Sequence, residues 1–384
     1  MKPKFYILPV IIISQFFCTS LWFAGNAIVD TFASQFDVDF NLLGYLISFV
    51  QFGFIIGTLT FALLTLADRF SPSRIFIICA FLGGVCNLFL LIPEITIFNL
   101  LTARFATGFF LAGIYPIGMK IASDYYKDGL GKALGYLVGA LVLGTALPHL
   151  INEYSWSNDY KTVIISTSLL AFIGGLAMWL TVPDGPYRKL VSKLQLGIVI
   201  QLFSIQSFRK ASFGYFGHMW ELYAFWAFVP IILKTYAQTQ HIDIQVSFWS
   251  FIIIGVGAIS CILGGLLSLN SGSKKVAYHS LLTSGIFCLT SPLLFQLPFE
   301  LFLIAMHIWG MLVISDSPQF STMVATSVPS ELKGTGLTIV NCIGFAITII
   351  SIQLLSFLAN KIDPTLLYLF LGIGPIFGIY MLRK

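Results

Sequence analysis

Long apolar stretches alternate with short polar connections along the whole chain. Twelve of them are readable: 5–32, 40–66, 75–92, 95–124, 131–150, 161–182, 211–237, 244–269, 276–295, 299–328, 334–358 and 364–382. At ~1.5 Å of rise per residue, most are long enough to cross a ~30 Å hydrocarbon layer as helices. Backbone groups in lipid must be satisfied internally, which leaves helix bundles or closed barrels. Continuous apolar runs, in place of ten-residue alternation, select helices. The pattern therefore predicts an all-α membrane protein with twelve transmembrane helices, numbered here as spans one to twelve. Between spans six and seven, residues 183–210 are too few for a soluble domain. The apolar stretch 191–205 is flanked by Arg188, Lys189, Lys193, Arg209 and Lys210, which suits a helix lying in the membrane interface. An unstructured linker is the alternative.

Several features recur in the same order in both halves. Ser20–Phe23 (SLWF) parallels Glu221–Ala224 (ELYA), Pro116 parallels Pro318, and Leu130–Gly135 (LGKALG) parallels Leu332–Leu337 (LKGTGL). Their shared offset argues for duplication into two pseudo-symmetric six-helix bundles, residues 1–182 and 211–384, joined by the linker 183–210. In such architectures a binding site lies near the midplane between halves that rock.

Composition agrees with this reading. Of 384 residues, 57% are hydrophobic and 10% charged, against ~25% charged in soluble domains. Sixteen of the 21 Lys and Arg fall on one side of the predicted topology: Lys2, Lys4, Arg69, Arg74, Lys127, Lys132, Arg188, Lys189, Lys193, Arg209, Lys210, Lys274, Lys275, Lys333, Arg383 and Lys384. Positive loops mark the cytoplasm, so both termini are expected there, in a bacterial inner or plasma membrane. Charges scattered over short loops do not form a nucleic-acid surface. All six cysteines lie inside apolar spans without a CxxC pair, so neither a disulfide framework nor a zinc site is expected. The first span lacks a small-residue cleavage site and reads as retained.

No Gly-rich loop ending in Lys-Ser/Thr is present, which excludes an ATP-driven pump of that kind. Neither a nucleophile–base constellation nor HExxH is found, so no enzyme activity and no cofactor is expected. A non-transporting sensor or scaffold would be expected to carry a soluble effector domain or long tail, and none is read here.

Span seven carries His218 and Glu221, three residues apart and so on one helix face. An ionised side chain at the bilayer centre costs ~3 kcal/mol or more. Gly53 and Gly57 in span two have the four-residue spacing of close helix packing, and Gly131, Gly135 and Gly139 form a stripe on span five.

Leu66–Arg74 (LADRFSPSR) resembles the G-x-L-A-D-R-x-G-R-R loop between spans two and three of the major facilitator superfamily. Asp68 and Arg69 match and Arg74 supplies a terminal basic residue; Leu64 and Ser71 replace the usual glycines, and Pro72 is extra. RFATGFFLAG from Arg104 resembles the family's R-x-x-x-G, with Gly108 as its glycine. GALVLGTALP faintly resembles the antiporter motif, with the proline displaced to Pro148. The glycine-rich patterns of nitrate porters are absent. The resemblance covers essentially the whole chain. It implies a secondary transporter whose spans one, four, seven and ten line a central cavity, and whose span two–three loop governs switching.

On that scheme the intramembrane polar residues fall on the lining spans. Glu221, Asp316 and His218 are expected to form a proton-coupling cluster; Glu221 and Asp316 lie at similar depth, ~18 Å from the cytoplasmic ends. A structural Glu–His pair is the alternative. Arg104 and His307, with Asn26, Gln15, Tyr115, Trp220 and Tyr223, are the substrate-binding candidates. Arg104 would fork onto a carboxylate or phosphate, or brace carbonyls of span one instead. Asp68, Arg69, Arg74 and Asp124 are expected at the gate, with Lys120 near its mouth. The expected partners are a small polar solute, anionic or zwitterionic, and protons, handled by a monomer in the lipid bilayer. Alternatives are a proton-coupled efflux antiporter and, less favoured because a mobile cavity seldom keeps its ligands, a divalent-metal transporter using His218, Glu221 and Asp316.

Overall fold

The computed structural model describes residues 4–29, 32, 41–126, 130–155, 159–188 and 196–383. Among the described residues there is no strand. Ten helices are long and apolar enough to cross a membrane: α1 (Ile7–Asn26), α2 (Leu42–Leu63), α3 (Pro72–Leu91), α4 (Ile97–Tyr125), α5 (Gly131–Glu153), α6 (Tyr160–Thr181), α7 (Gln206–Gln240), α8 (Val246–Ser271), α10 (Phe299–Thr326) and α11 (Lys333–Ala359). Between and after them, α9 (Ser273–Leu294) and the shorter α12 (Leu367–Arg383) complete the twelve. The chain divides into two compact units, Met1–Leu194 and Gln195–Lys384.

In the first unit, α2 lies against α4, α3 against α6, and α1 against α5 and α6. Lipid tails are as apolar as leucine, so these contacts depend on close packing at small residues. A Cβ built on Gly53 would sit 1.9 Å from the Phe105 carbonyl oxygen, one on Gly57 2.4 Å from that of Phe109, and one on Gly108 1.9 Å from that of Val50. Gly144 of α5 meets Thr19 and Phe16 of α1 in the same way. The sequence singled out the Gly53–Gly57 pair and also Gly131 and Gly135. The latter two have nothing within 4 Å.

The helices α1, α4 and α10, among others, are interrupted. In α1 the α-helix stops at Thr19 and a 3-10 stretch runs from Ala24 to Ile28. In α4 the break falls between Leu111 and Tyr115, with Pro116 in the first turn of the second part. In α10 it falls at Asp316, with Pro318 likewise placed. Proline has no N–H to give to the preceding turn, so the recurring prolines place matching breaks in the two units.

In the second unit, α7 is one helix of 35 residues packed on α11 and α12. It begins at Gln206 instead of near 211, because Arg209 and Lys210 extend the helix without having to enter hydrocarbon. Residues 189–195 lie outside the described part of the interfacial segment. Its remainder is a 3-10 turn, Leu196–Ile198, and a short helix, Val199–Ser204. Phe203 of that helix packs 5.3 Å from Phe208 and 6.2 Å from Phe213, while Ile200 is 85% exposed.

Gly108→Val is expected to lower the melting temperature in detergent by several degrees. Overpacking costs ~1–3 kcal/mol, and backbone is what its Cβ would meet. Gly135→Ala is expected to melt at or above the wild-type temperature, because its Cβ meets nothing within 4 Å and helix interiors favour Ala over Gly by ~0.5–1 kcal/mol. A Gly108→Val protein that melts like wild type would contradict this packing.

Candidate functional site

Arg104 is 1% exposed. It reaches the break in α1, where its Nη2 donates to the Trp22 carbonyl at 2.6 Å and Nη1 to that of Leu21 at 3.3 Å. Nη1 also lies 3.5 Å from Asn87 Oδ1. The Asn87 amide then donates to α6, at 3.2 Å to the Ile164 carbonyl, 3.1 Å to Thr167 Oγ1 and 3.0 Å to Ser168 Oγ. One guanidinium therefore ties α4 to α1 and α3, and through Asn87 to α6. This geometry is the brace alternative, with both Nη atoms on backbone carbonyls. Sequence reasoning passed over Asn87, whose signal was a lone amide in apolar span three.

Two amide side chains of α1 are buried with no hydrogen-bond partner among the described residues. These are Gln15 and Asn26, each at both polar atoms. Gln15 rests on α4 at Gly118, where a Cβ would come within 2.1 Å of Gln15 Oε1. Tyr115 opens the second part of α4 and is half-buried.

A second set of charges joins the end of α4 to the loop between α2 and α3. Lys120 Nζ stands 3.4 Å from Asp68 and 3.6 Å from Asp124. Arg188, beyond α6, donates from Nη2 to the carbonyls of Asp68 at 2.9 Å and Phe70 at 2.7 Å, and from Nη1 to Asp184 at 2.5 Å. Ser71 Oγ donates to the same Asp184 carboxylate at 2.6 Å. Tyr187 N–H donates to the Asp124 carbonyl at 3.0 Å, and Tyr125 Oη to that of Pro183 at 2.6 Å. Arg69 is exposed. Arg74, also exposed, borders a cavity of about 510 Å³ with Ser71, Trp179 and Asp184. The gate candidates Asp68 and Asp124 thus share a cation, Lys120, and sequence reasoning missed Asp184 and Arg188 as their neighbours.

In the second unit, His218 and Asp316 meet at the break of α10. His218 Nδ1 is 2.8 Å from Asp316 Oδ1, and both residues are 1% exposed. His218 lies between the rings of Tyr215, at 5.8 Å, and Phe320, at 6.0 Å. Its Nε2 is buried with no hydrogen-bond partner among the described residues. Glu221, on the same face of α7, has different partners. Its Oε1 accepts from Ser284 and Cys288 of α9 and from Trp309 of α10. The expected three-membered cluster is therefore a pair and a neighbour.

The remaining candidates face other helices of the unit. Trp220 donates its indole N–H to the Phe370 carbonyl of α12 at 2.9 Å. Tyr223 packs on Trp226 and Phe345. His307 contacts the carbonyl of Leu303 one turn back at 2.6 Å and meets Trp249 of α8 edge-on.

Membrane-spanning helices with matching breaks, and ionisable groups buried inside each unit, define a secondary-transporter type of fold. The family model for the Major Facilitator Superfamily matches residues 11–352, and the chain belongs to that family. It is an integral multi-pass membrane protein of that family. The chain is 26% identical over 199 residues to the putative uncharacterized transporter YgaY of Escherichia coli (strain K12), and equally to the uncharacterized transporter YgaY of Escherichia coli O157:H7. That match takes in 48% of this chain and 47% of each relative, so the chain spans about half the length of the relatives it matches. Among solved structures, a crystal structure of a D-xylose-proton symporter has a TM-score of 0.80 at 14% identity, covering 99% of this chain and 97% of that one. The proton:xylose symporter XylE bound to 6-bromo-6-deoxy-D-glucose has a TM-score of 0.74 at 14% identity, covering 99% and 95%. At that identity the likeness is one of fold.

Arg104→Leu is expected to reduce folded, monodisperse protein severalfold. It strips donors from two buried carbonyls, and an unsatisfied buried group costs ~1–3 kcal/mol. Gln15→Leu, whose amide has no partner to lose, is expected to express and melt near wild type. Size-exclusion profiles and melting curves of the two variants check this, and an Arg104→Leu protein as stable as wild type would remove the brace.

Proposed function

We propose that the protein is a secondary active transporter that moves a small polar organic solute by alternating access, with His218 and Asp316 handling the coupled proton. The observation that carries this reading is the 2.8 Å His218–Asp316 contact at the interrupted helix α10. A histidine paired with a carboxylate is neutral overall when the ring is protonated and negative when it is not. A buried pair that trades one proton therefore changes the charge of its surroundings by one unit, and in hydrocarbon such a change is costly enough to bias a conformational equilibrium. His218 Nε2, which has no hydrogen-bond partner among the described residues, is the atom that can gain or lose the proton or hydrogen-bond a solute hydroxyl.

For the solute, the amides of Gln15 and Asn26 are the uncommitted groups, each offering donors and acceptors. Arg104 is engaged with carbonyls, so it has little left to offer an anionic solute, and a zwitterionic or neutral polar one is favoured. The two solved relatives carry xylose with protons by their names, which is compatible with a neutral polar solute here. Export by proton antiport is the second reading, favoured by Pro148 inside α5. Asp68, Lys120 and Asp124 are proposed to latch a gate. We further propose bundles 1–182 and 211–384 joined by the linker 183–210, both termini cytoplasmic in an inner or plasma membrane, and a monomer in the bilayer.

The test is uptake into liposomes, with and without an imposed pH gradient, of solutes selected by thermal shift on the purified protein. Wild type is expected to accumulate solute against its gradient. Asp316→Asn is expected to lose that accumulation while still exchanging solute at equal concentrations across the membrane. Gradient-driven accumulation by Asp316→Asn at the wild-type level would refute the coupling site.

A further inference from the structure

Glu221 takes part in a different structure from the pair one turn away. Its Oε1 accepts the hydroxyl of Ser284, the thiol of Cys288 at 3.3 Å and the indole N–H of Trp309 at 2.8 Å. Ser284 and Cys288 are one turn apart on α9, and Trp309 belongs to α10 above its break. Each of the four residues is no more than 1% exposed. The Trp309 ring is fixed by Phe225, at 4.7 Å, and by Phe287, stacked at 6.2 Å and 14°, so its N–H is aimed.

Two ties therefore join α7 to α10: Glu221 with Trp309, and His218 with Asp316. Between them the register advances three residues along α7 and runs back seven along α10. Asp316 occupies the break itself, with φ −85° and ψ −17°, where the helix gives least support to its direction. The segment that ends in Asp316 is held against α7 and α9 by Trp309 and by Ser315, whose Oγ donates to Ser280 of α9 at 2.7 Å.

We propose that Glu221 is a positioning residue. It anchors α10 above the break so that Asp316 meets His218 in register, and it does not itself carry the coupled proton; this rests on the coupling reading given above. Oε1 is committed to three donors from α9 and α10, which suits a fixed anchor, and these contacts need only an oxygen acceptor, so they do not depend on the carboxyl changing its protonation state. His218 Nε2, by contrast, is buried with no hydrogen-bond partner among the described residues.

Among the described residues, other titratable groups facing this region are Cys261 of α8, whose thiol meets the Ile314 carbonyl two residues before Asp316 at 3.8 Å, Cys288 of α9, and Tyr215 of α7 beside His218. From α11, Gly344 and Phe345 meet α7 at Tyr215, Met219 and Tyr223. Tyr368 of α12 is turned to Phe295.

The experiment compares Glu221→Gln, Trp309→Phe and Asp316→Asn in the liposome assay across pH, with flux normalised to folded protein. Glu221→Gln keeps a carbonyl oxygen for Ser284 and Trp309, so gradient-driven accumulation is expected to stay within about threefold of wild type. Trp309→Phe keeps an aromatic ring, smaller than the indole, and removes one donor. It is expected to move the pH of half-maximal uptake, since the His218–Asp316 geometry shifts with α10. Loss of gradient-driven accumulation in Glu221→Gln would make Glu221 a proton carrier and overturn the proposal. An unchanged pH midpoint in Trp309→Phe, with only a lower melting temperature, would reduce Glu221 to a purely structural tie and also overturn it. Asp316→Asn reports separately: if it keeps accumulation, the coupling reading itself has failed, whatever Glu221 does.

Discussion

A bare charge or an unpaired carbonyl in hydrocarbon costs several kcal/mol, with no water nearby to offset it. That constraint organises both units. Each buried ionisable side chain described above has a partner within its own unit, most often another side chain and, for Arg104, backbone carbonyls as well. Arg104 is held by carbonyls of α1 and by Asn87, Glu221 by two donors of α9 and one of α10, and His218 by Asp316. Each tie also fixes where one helix sits against another.

The interrupted helices and the buried charges are two sides of one arrangement. Breaking α1 after Thr19 leaves carbonyls that its own turns cannot satisfy, and the Arg104 guanidinium serves them. Breaking α10 at Asp316 places a carboxylate where the helix changes course, and His218 meets it. Continuous helices need no such help, and α7 runs unbroken for 35 residues to present His218 and Glu221. Irregular backbone at membrane depth is tolerated where protein surrounds it, so the breaks mark the parts of each unit that have side chains committed to them.

Much of this was legible in the sequence. Span number and the repeat of Pro116 and Pro318 follow from hydropathy and spacing. Which polar atoms meet does not. His218 and Glu221 share a helix face, yet a few ångströms of reach divide them between Asp316 and Ser284, because the partners sit on helices whose rotation the sequence leaves open. Asn87 looked like an isolated amide until Thr167 and Ser168 of α6 turned toward it. Glycine spacing was equally ambiguous. Gly53 and Gly57 meet backbone, whereas Gly131 and Gly135 meet nothing within 4 Å, and periodicity is the same for both pairs.

The central claim, that a buried ionisable group is held by its partner inside the unit, is tested most directly by a double-mutant cycle of His218→Leu and Asp316→Leu on thermal unfolding. Removing one member of a buried pair costs ~3–5 kcal/mol because it strands the other, whereas replacing both with apolar side chains is often near neutral. The account predicts that the double variant melts above the less stable single variant and close to wild type. Losses that simply add in the double variant would contradict it.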